Sequence, residues 1–444
     1  MTEDRLRRPL IVVGAIVALV GLATTGVHFL RSGNDASRRA NTEAPKVTAG
    51  LVSPQPSDGL GQLEQKVRKN SDDWKSLAAL SRAYVQRGRV TGDPTFYPLA
   101  DKAVQRSLQI NPQGNLPAMI SESSLSAARH NFNQALDWAQ RADAIAPDTP
   151  DVKAVQGDAL IELGRYPEAF DTFQRMVDLR PSLTAYTRVS YAQELQGNVD
   201  GAIQSMQAAG EAASNRSDQA FTEFQLAELY WNSGKTDEAI THYRRSAQLD
   251  PSYLPPAAAL ARASFFTGRP QDAIKQYADV TQRNPFPQYV GDYSDVAALT
   301  GKNDLAKQQL AVLDAQDRLF KANGVNVDVE LALFNADHGI DLPGSLTAAQ
   351  NEWSKRKSVV VADSLAWALH ANGRDQEALD YANQALHLGS RNALYFYHRA
   401  RIQEALHNPG AAKADLGQAL AINPNFSVLH SQDARQWATQ LGLP

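Results

Sequence analysis

Residues 151–181 read DVKAVQGDALIELGRYPEAFDTFQRMVDLRP. The stretch divides into two amphipathic helices joined by a tight turn at Gly164-Arg165, with small residues at Gly157 and Ala169, an aromatic at Phe173 and a closing proline at Pro181. A hairpin of this size cannot bury its apolar stripe alone. It needs neighbours built the same way.

The pattern recurs along the chain. A residue near the start of each second helix falls at Ala100, Ala135, Ala169, Ala202, Ala239, Ala273, Ala306, Leu346, Ala378 and Ala412, with steps of 35, 34, 33, 37, 34, 33, 40, 32 and 34. Twelve residues beyond lie Pro112, Pro147, Pro181, Pro251, Pro285 and Pro424. Before it come the small residues Ala78, Ser123, Gly157, Ser190, Ala227, Ala261, Ser294, Ala366 and Ala400. Small side chains at a helix crossing let the two backbones approach, while proline ends each unit and glycine stops its first helix. The reading is all-α: an α-solenoid of about ten helical hairpins.

On these marks the chain resembles the tetratricopeptide repeat family. Trp74, Leu77 and Ala78 carry the start of that family's pattern, and Leu226, Ala227, Tyr230, Ala239, Tyr243 and Pro251 carry its middle and end. The resemblance spans roughly residues 63–440 and implies a right-handed superhelix with a concave groove. It also implies which first-helix positions face that groove: Tyr191, Glu194, Phe221, Phe224, Glu228, Trp231, Arg262, Phe265, Trp367, His370, Tyr397 and Arg401. Aromatic and arginine side chains of this kind anchor partner proteins, so these twelve form the candidate binding set. The clamp by which some family members hold a terminal carboxylate is missing, because Lys75 is followed by Ala79, Ile120 and Ser124.

Composition narrows the function classes. The chain has 444 residues, a formal net charge of −4 and no cysteine, so thiolate chemistry, disulfides and cysteine-based metal sites are excluded. An acidic balance also argues against nucleic acid as a partner. Phosphate-binding glycine loops, the H-E-x-x-H zinc motif and the nucleophile elbow are absent. The nine histidines are scattered; His370, His387 and His398 come from adjacent repeats but read as packing or surface residues. No cofactor, metal, small-molecule substrate or catalytic residue is expected.

The N-terminus is a region apart. Residues 1–8 form a short tail, and Pro9 to Leu30 contains no charge and is long enough to span a bilayer. Arg5, Arg7 and Arg8 precede it; Arg31, Arg38 and Arg39 follow. A signal anchor is one reading of residues 9–30, and a cleavable signal peptide with Gly21-Leu22-Ala23 as its small-residue site is the other. Both place the repeats outside the cytoplasm, on the membrane or released from it. Residues 31–62 read as a flexible linker, 63–426 as the solenoid and 427–444 as a capping helix with Asp433, Arg435 and Gln436 on its outer face.

Two stretches break the period. Arg87 to Pro98 reads as an insertion projecting from the turn of repeat one. In repeat eight, Val329 to His338 reads as the first helix, residues 339–344 as a lengthened turn and Ser345 to Lys357 as the second helix. The chain is thus expected to be a non-enzymatic, membrane-tethered scaffold that holds a partner protein in its groove. The alternative is a structural component of an envelope biogenesis or secretion assembly.

Overall fold

A computed structural model of the chain describes residues 58–325 and 328–443. Among these residues there are twenty-two helices and no strand. A lead-in helix, α1 (Asp58–Lys69), precedes ten antiparallel hairpins. The first five pair α2 (Trp74–Thr91) with α3 (Phe96–Ile110), α4 (Leu116–Ala128) with α5 (Phe132–Ile145), α6 (Pro150–Glu162) with α7 (Tyr166–Leu179), α8 (Leu183–Leu195) with α9 (Val199–Glu211), and α10 (Arg216–Asn232) with α11 (Thr236–Leu249). The second five pair α12 (Pro255–Phe266) with α13 (Pro270–Arg283), α14 (Pro287–Leu299) with α15 (Asn303–Ala322), α16 (Asp328–His338) with α17 (Leu342–Lys355), α18 (Val359–Ala371) with α19 (Asp375–Ala385), and α20 (Ala393–Ala405) with α21 (Pro409–Ile422). A last helix, α22 (His430–Gln440), closes the stack.

Local chemistry accounts for the hairpins. The crossing alanines at 100, 135, 169, 202, 239 and 273 are fully buried. A Cβ at Gly157 would lie 2.3 Å from the Phe173 ring, so α6 and α7 touch through a position where only hydrogen fits. Where serine stands instead, its hydroxyl donates to the carbonyl of the opposing alanine: Ser123 to Ala135 at 2.8 Å, Ser190 to Ala202 at 2.7 Å and Ser294 to Ala306 at 3.2 Å. A buried hydroxyl therefore carries no unmet polar group into the crossing.

The structure departs from the sequence reading at the irregular stretches. Leu60, Leu63 and Val67 pack with Leu80 and Ala103, so α1 begins at Asp58 inside the expected linker. The insertion in repeat one does not project. Residues 87–91 extend α2, where the Thr91 hydroxyl donates to the Arg87 carbonyl and Arg89 donates to the Ser124 carbonyl, and Tyr97 is buried in α3. In repeat eight the second helix starts earlier, at Leu342, because Asp341 accepts from the Gly344 amide and Pro343 follows it in the first turn. Asp433 on α22 stays half-exposed but also accepts from Tyr397 and Arg401, tying the cap to α20. The membrane helix expected at residues 9–30 lies outside the described residues, and among those described no helix is long and apolar enough to cross a membrane.

The superhelix meets itself after one turn. The glycines that end α6, α8 and α10 all have positive φ, and each presses on backbone from the C-terminal half. A Cβ at Gly164 would lie 2.3 Å from the Lys357 carbonyl oxygen, one at Gly197 2.2 Å from that of Gly389, and one at Gly234 2.8 Å from that of Ile422. Around them the Val359 amide donates to the Tyr166 hydroxyl at 2.7 Å, and the Asn423 amide donates to the Trp231 carbonyl at 2.9 Å. Arg356, itself buried, donates to both Glu162 and Glu352 at 2.6 Å.

Candidate binding face inside the superhelix

First helices of the two halves face each other across the coil contact. α8 and α10 stand opposite α16, α18 and α20, and between them lies a cavity of about 380 Å³. Its wall includes Tyr191, Glu194, Asn232, Tyr395 and Phe426, and Asp200, Lys235 and Arg391 on its rim are exposed. The Tyr191 ring is half-buried, while Tyr395 and Phe426 are 8% and 6% exposed and show the cavity only an edge. Aromatic edges beside a carboxylate suit an apolar anchor with a basic neighbour.

Glu194 is one of several charged residues on the cavity wall, with Arg356 and Asp363 buried and Asp200, Lys235 and Arg391 exposed. Burial pushes the Glu194 carboxyl up to about 7; the Asn232 amide, bonded at 3.2 Å, works against that and the Glu228 charge adds to it. The group therefore changes charge near neutrality.

Glu228, Trp231 and Arg262 belong to a second, more tightly packed cluster. The Arg262 guanidinium donates to Glu228 at 2.8 Å and to the Tyr243 hydroxyl at 2.9 Å, and lies 4.5 Å over the Trp231 ring. Tyr243 in turn donates to Glu228. Burial disfavours the Arg262 charge, but Glu228 and Tyr243 outweigh it, so the guanidinium stays firmly protonated. Phe224 packs on Tyr243 and Tyr253, and Phe265 on Phe266, whose ring also meets Trp231. Trp231 is 3% exposed and Phe221 7%, which puts both in the packed interior. Phe224, Glu228, Arg262 and Phe265 are half-buried.

The C-terminal members of the set form a third cluster. Tyr397 donates to Asp433 at 2.9 Å, and Arg401 donates to the Tyr397 hydroxyl at 3.1 Å and lies 4.6 Å over Trp437. Trp367 is buried, stacks on His398 at 4.1 Å and meets His370 at 4.9 Å. His370 pairs with Asp375. Of the twelve predicted residues, only Tyr191 and Glu194 line the cavity. Asn232, Arg391, Tyr395 and Phe426 were missed because they reach it through coil closure, for which the repeat pattern carries no signal.

Residues 125–184 and 230–291 each match a family model described as Tetratricopeptide repeat, so the chain carries tetratricopeptide repeats. No curated protein matches the chain. Among solved structures, the APC/C hetero-tetramer Cut9-Hcn1 is similar at 16% identity, covering 86% of this chain and 81% of that one with a TM-score of 0.38. A thermophilic tetratricopeptide protein of Thermus thermophilus, TTC0263, is similar at 19% identity, covering 41% of this chain and 98% of that one, TM-score 0.36. Human IFIT1, crystallised as a dimer with PPP-AAAA, is similar at 11% identity, covering 83% and 95%, TM-score 0.45.

Proposed function

We propose that the chain is a non-enzymatic scaffold that captures a segment of a partner protein in the cavity between its two halves, tethered to a membrane by residues 9–30. Tetratricopeptide repeats generally serve as protein-interaction scaffolds, which supports the first part. The observation that carries the reading is the cavity of about 380 Å³ with Tyr191, Tyr395 and Phe426 beside Glu194 and an exposed rim. A partner segment suited to it carries an aromatic or branched side chain next to a lysine or arginine. The rings gain from its burial, and Glu194 fixes its register.

The test is a binding titration of aromatic-basic peptides against the full chain. Tyr191→Ala and Glu194→Lys are each expected to weaken binding at least tenfold with helicity unchanged, and equal binding by both variants sinks the reading. Tethering is checked separately by fractionation: the full chain should sediment with membranes in high salt, and the chain lacking residues 1–31 should not. The large apolar side chains that are exposed among the described residues, such as Val90, Ile145, Leu299 and Ile340, come from separate helices and turns, which favours capture inside the coil over stacking of solenoids.

A further inference from the structure

Three ionisable side chains from three elements converge inside the C-terminal half, behind the cavity wall that Asp363 lines. They are Asp337 near the end of α16, His398 in the middle of α20 and His430 at the start of α22. One ligand-type atom from each lies within 4.8 Å of the other two, and His430 Nε2 is 3.9 Å from Asp337 Oδ1. All three residues are buried, His398 completely. The Nε2 atoms of both histidines are shielded from solvent and have no hydrogen-bond partner. Buried ring nitrogens are ordinarily satisfied, so two orphans in one cluster with a carboxylate call for an explanation.

Their neighbours supply one. Asp363 on α18, also buried, places both carboxylate oxygens 3.0 Å from His398 Nδ1. That pairing puts the ring proton on Nδ1 and leaves a lone pair on Nε2, the form in which histidine binds a metal. The Trp367 indole donates to Asp337 Oδ1, and its ring lies 4.1 Å from the His398 ring and 12° from parallel to it. The carboxylate and the imidazole are thus both oriented by groups that do not enter the site.

We propose that Asp337, His398 and His430 bind one transition-metal dication of the zinc, cobalt or nickel kind. Two imidazoles and one carboxylate suit these ions, whereas magnesium and calcium favour oxygen donors alone. Tetrahedral ligands at about 2.0–2.1 Å stand about 3.3 Å apart, so small ring rotations close the present spacing. Three protein ligands leave one position for water. The ion ties α22 to repeats eight and ten, joining the cap to the end of the solenoid.

The test uses the full chain, purified without a histidine tag, stripped with a chelator and titrated with Co(II). We expect uptake of one equivalent with visible ligand-field bands of nitrogen and oxygen donors, displacement by Zn(II), no displacement by Mg(II), and a higher melting temperature with Zn(II). His398→Gln and His430→Gln should each lower the affinity at least a hundredfold. Asp363→Asn, which does not touch the ion, should lower it tenfold to a hundredfold. Absence of stoichiometric Co(II) binding to the parent overturns the proposal, as does binding unchanged in both histidine variants. If a histidine variant loses its helical signal, the parent's Co(II) spectrum and Asp363→Asn decide the matter: no bands, or no loss in the variant, sinks it.

Discussion

Trp231 is the residue whose role changes most between sequence and structure. The repeat register places it among groove positions, but at 3% exposure, beneath the Arg262 guanidinium and against Phe266, it holds the middle of the solenoid together. Trp231→Ala is therefore expected to cost about 3–5 kcal/mol of stability, read as a lowered urea midpoint. Glu194 behaves differently. Its folded-state value is raised to about 7, above the ordinary glutamate value, so the native state binds the proton more tightly than the unfolded chain does. Its charge thus costs stability above about pH 7, and that cost fades as the pH falls toward the unfolded value. Glu194→Gln should be more stable than the parent at about pH 8, by an amount on the order of 1 kcal/mol after screening, and nearly equal to it at about pH 4.5. Thermal melts at the two pH values check this, and a difference that grew toward acid would contradict it.

At the scale of single hairpins the register can be tested at Gly157. Its missing Cβ would meet the Phe173 ring at 2.3 Å, and that ring is buried. Gly157→Leu should overpack the crossing by about 1–3 kcal/mol despite leucine's higher helix propensity. A variant as stable as the parent in urea would mean that α6 and α7 cross elsewhere. The crossing was legible because its determinants lie within one repeat: small residues twelve apart, a left-handed glycine and a proline. Repeat one and repeat eight were less legible because their turns are set by single side chains. The Arg89 reach to the Ser124 carbonyl and the Asp341 cap on Gly344 leave no periodic trace.

The whole molecule is organised by contact between successive coils. Glycines at the ends of first helices have two separable roles, and comparing them isolates the contact. Gly268 has a positive φ with nothing within 4 Å of where a Cβ would sit, whereas Gly197 has the same backbone pressed on the Gly389 carbonyl. Asparagine tolerates the left-handed conformation, so Gly268→Asn should change stability by less than about 1 kcal/mol. Gly197→Asn should cost about 1–3 kcal/mol more, because its Cβ displaces backbone of the other coil. Paired urea titrations measure the difference, and equal costs would show that the coils do not touch there. Arg356 extends the argument: Arg356→Ala leaves Glu162 and Glu352 buried without the guanidinium they share, a loss of about 3–5 kcal/mol in the same assay.

The sequence by itself determined the helical hairpins, their number and register, and the small residues at their crossings. Each of these depends on residues within about one repeat of one another, where helix geometry sets the spacing. Tertiary structure alone decided which hairpins meet across the coil. The Arg356–Glu162, Val359–Tyr166 and Asn423–Trp231 contacts join residues 194, 193 and 192 positions apart. Such pairings follow from the sum of small rotations between successive repeats, a quantity that no single repeat encodes. The same sum closes the cavity around Tyr191 and Glu194. The meeting of Asp337, His398 and His430 spans a shorter stretch, but it passes through the irregular eighth repeat and the cap, where the period carries no information about which side chains turn inward.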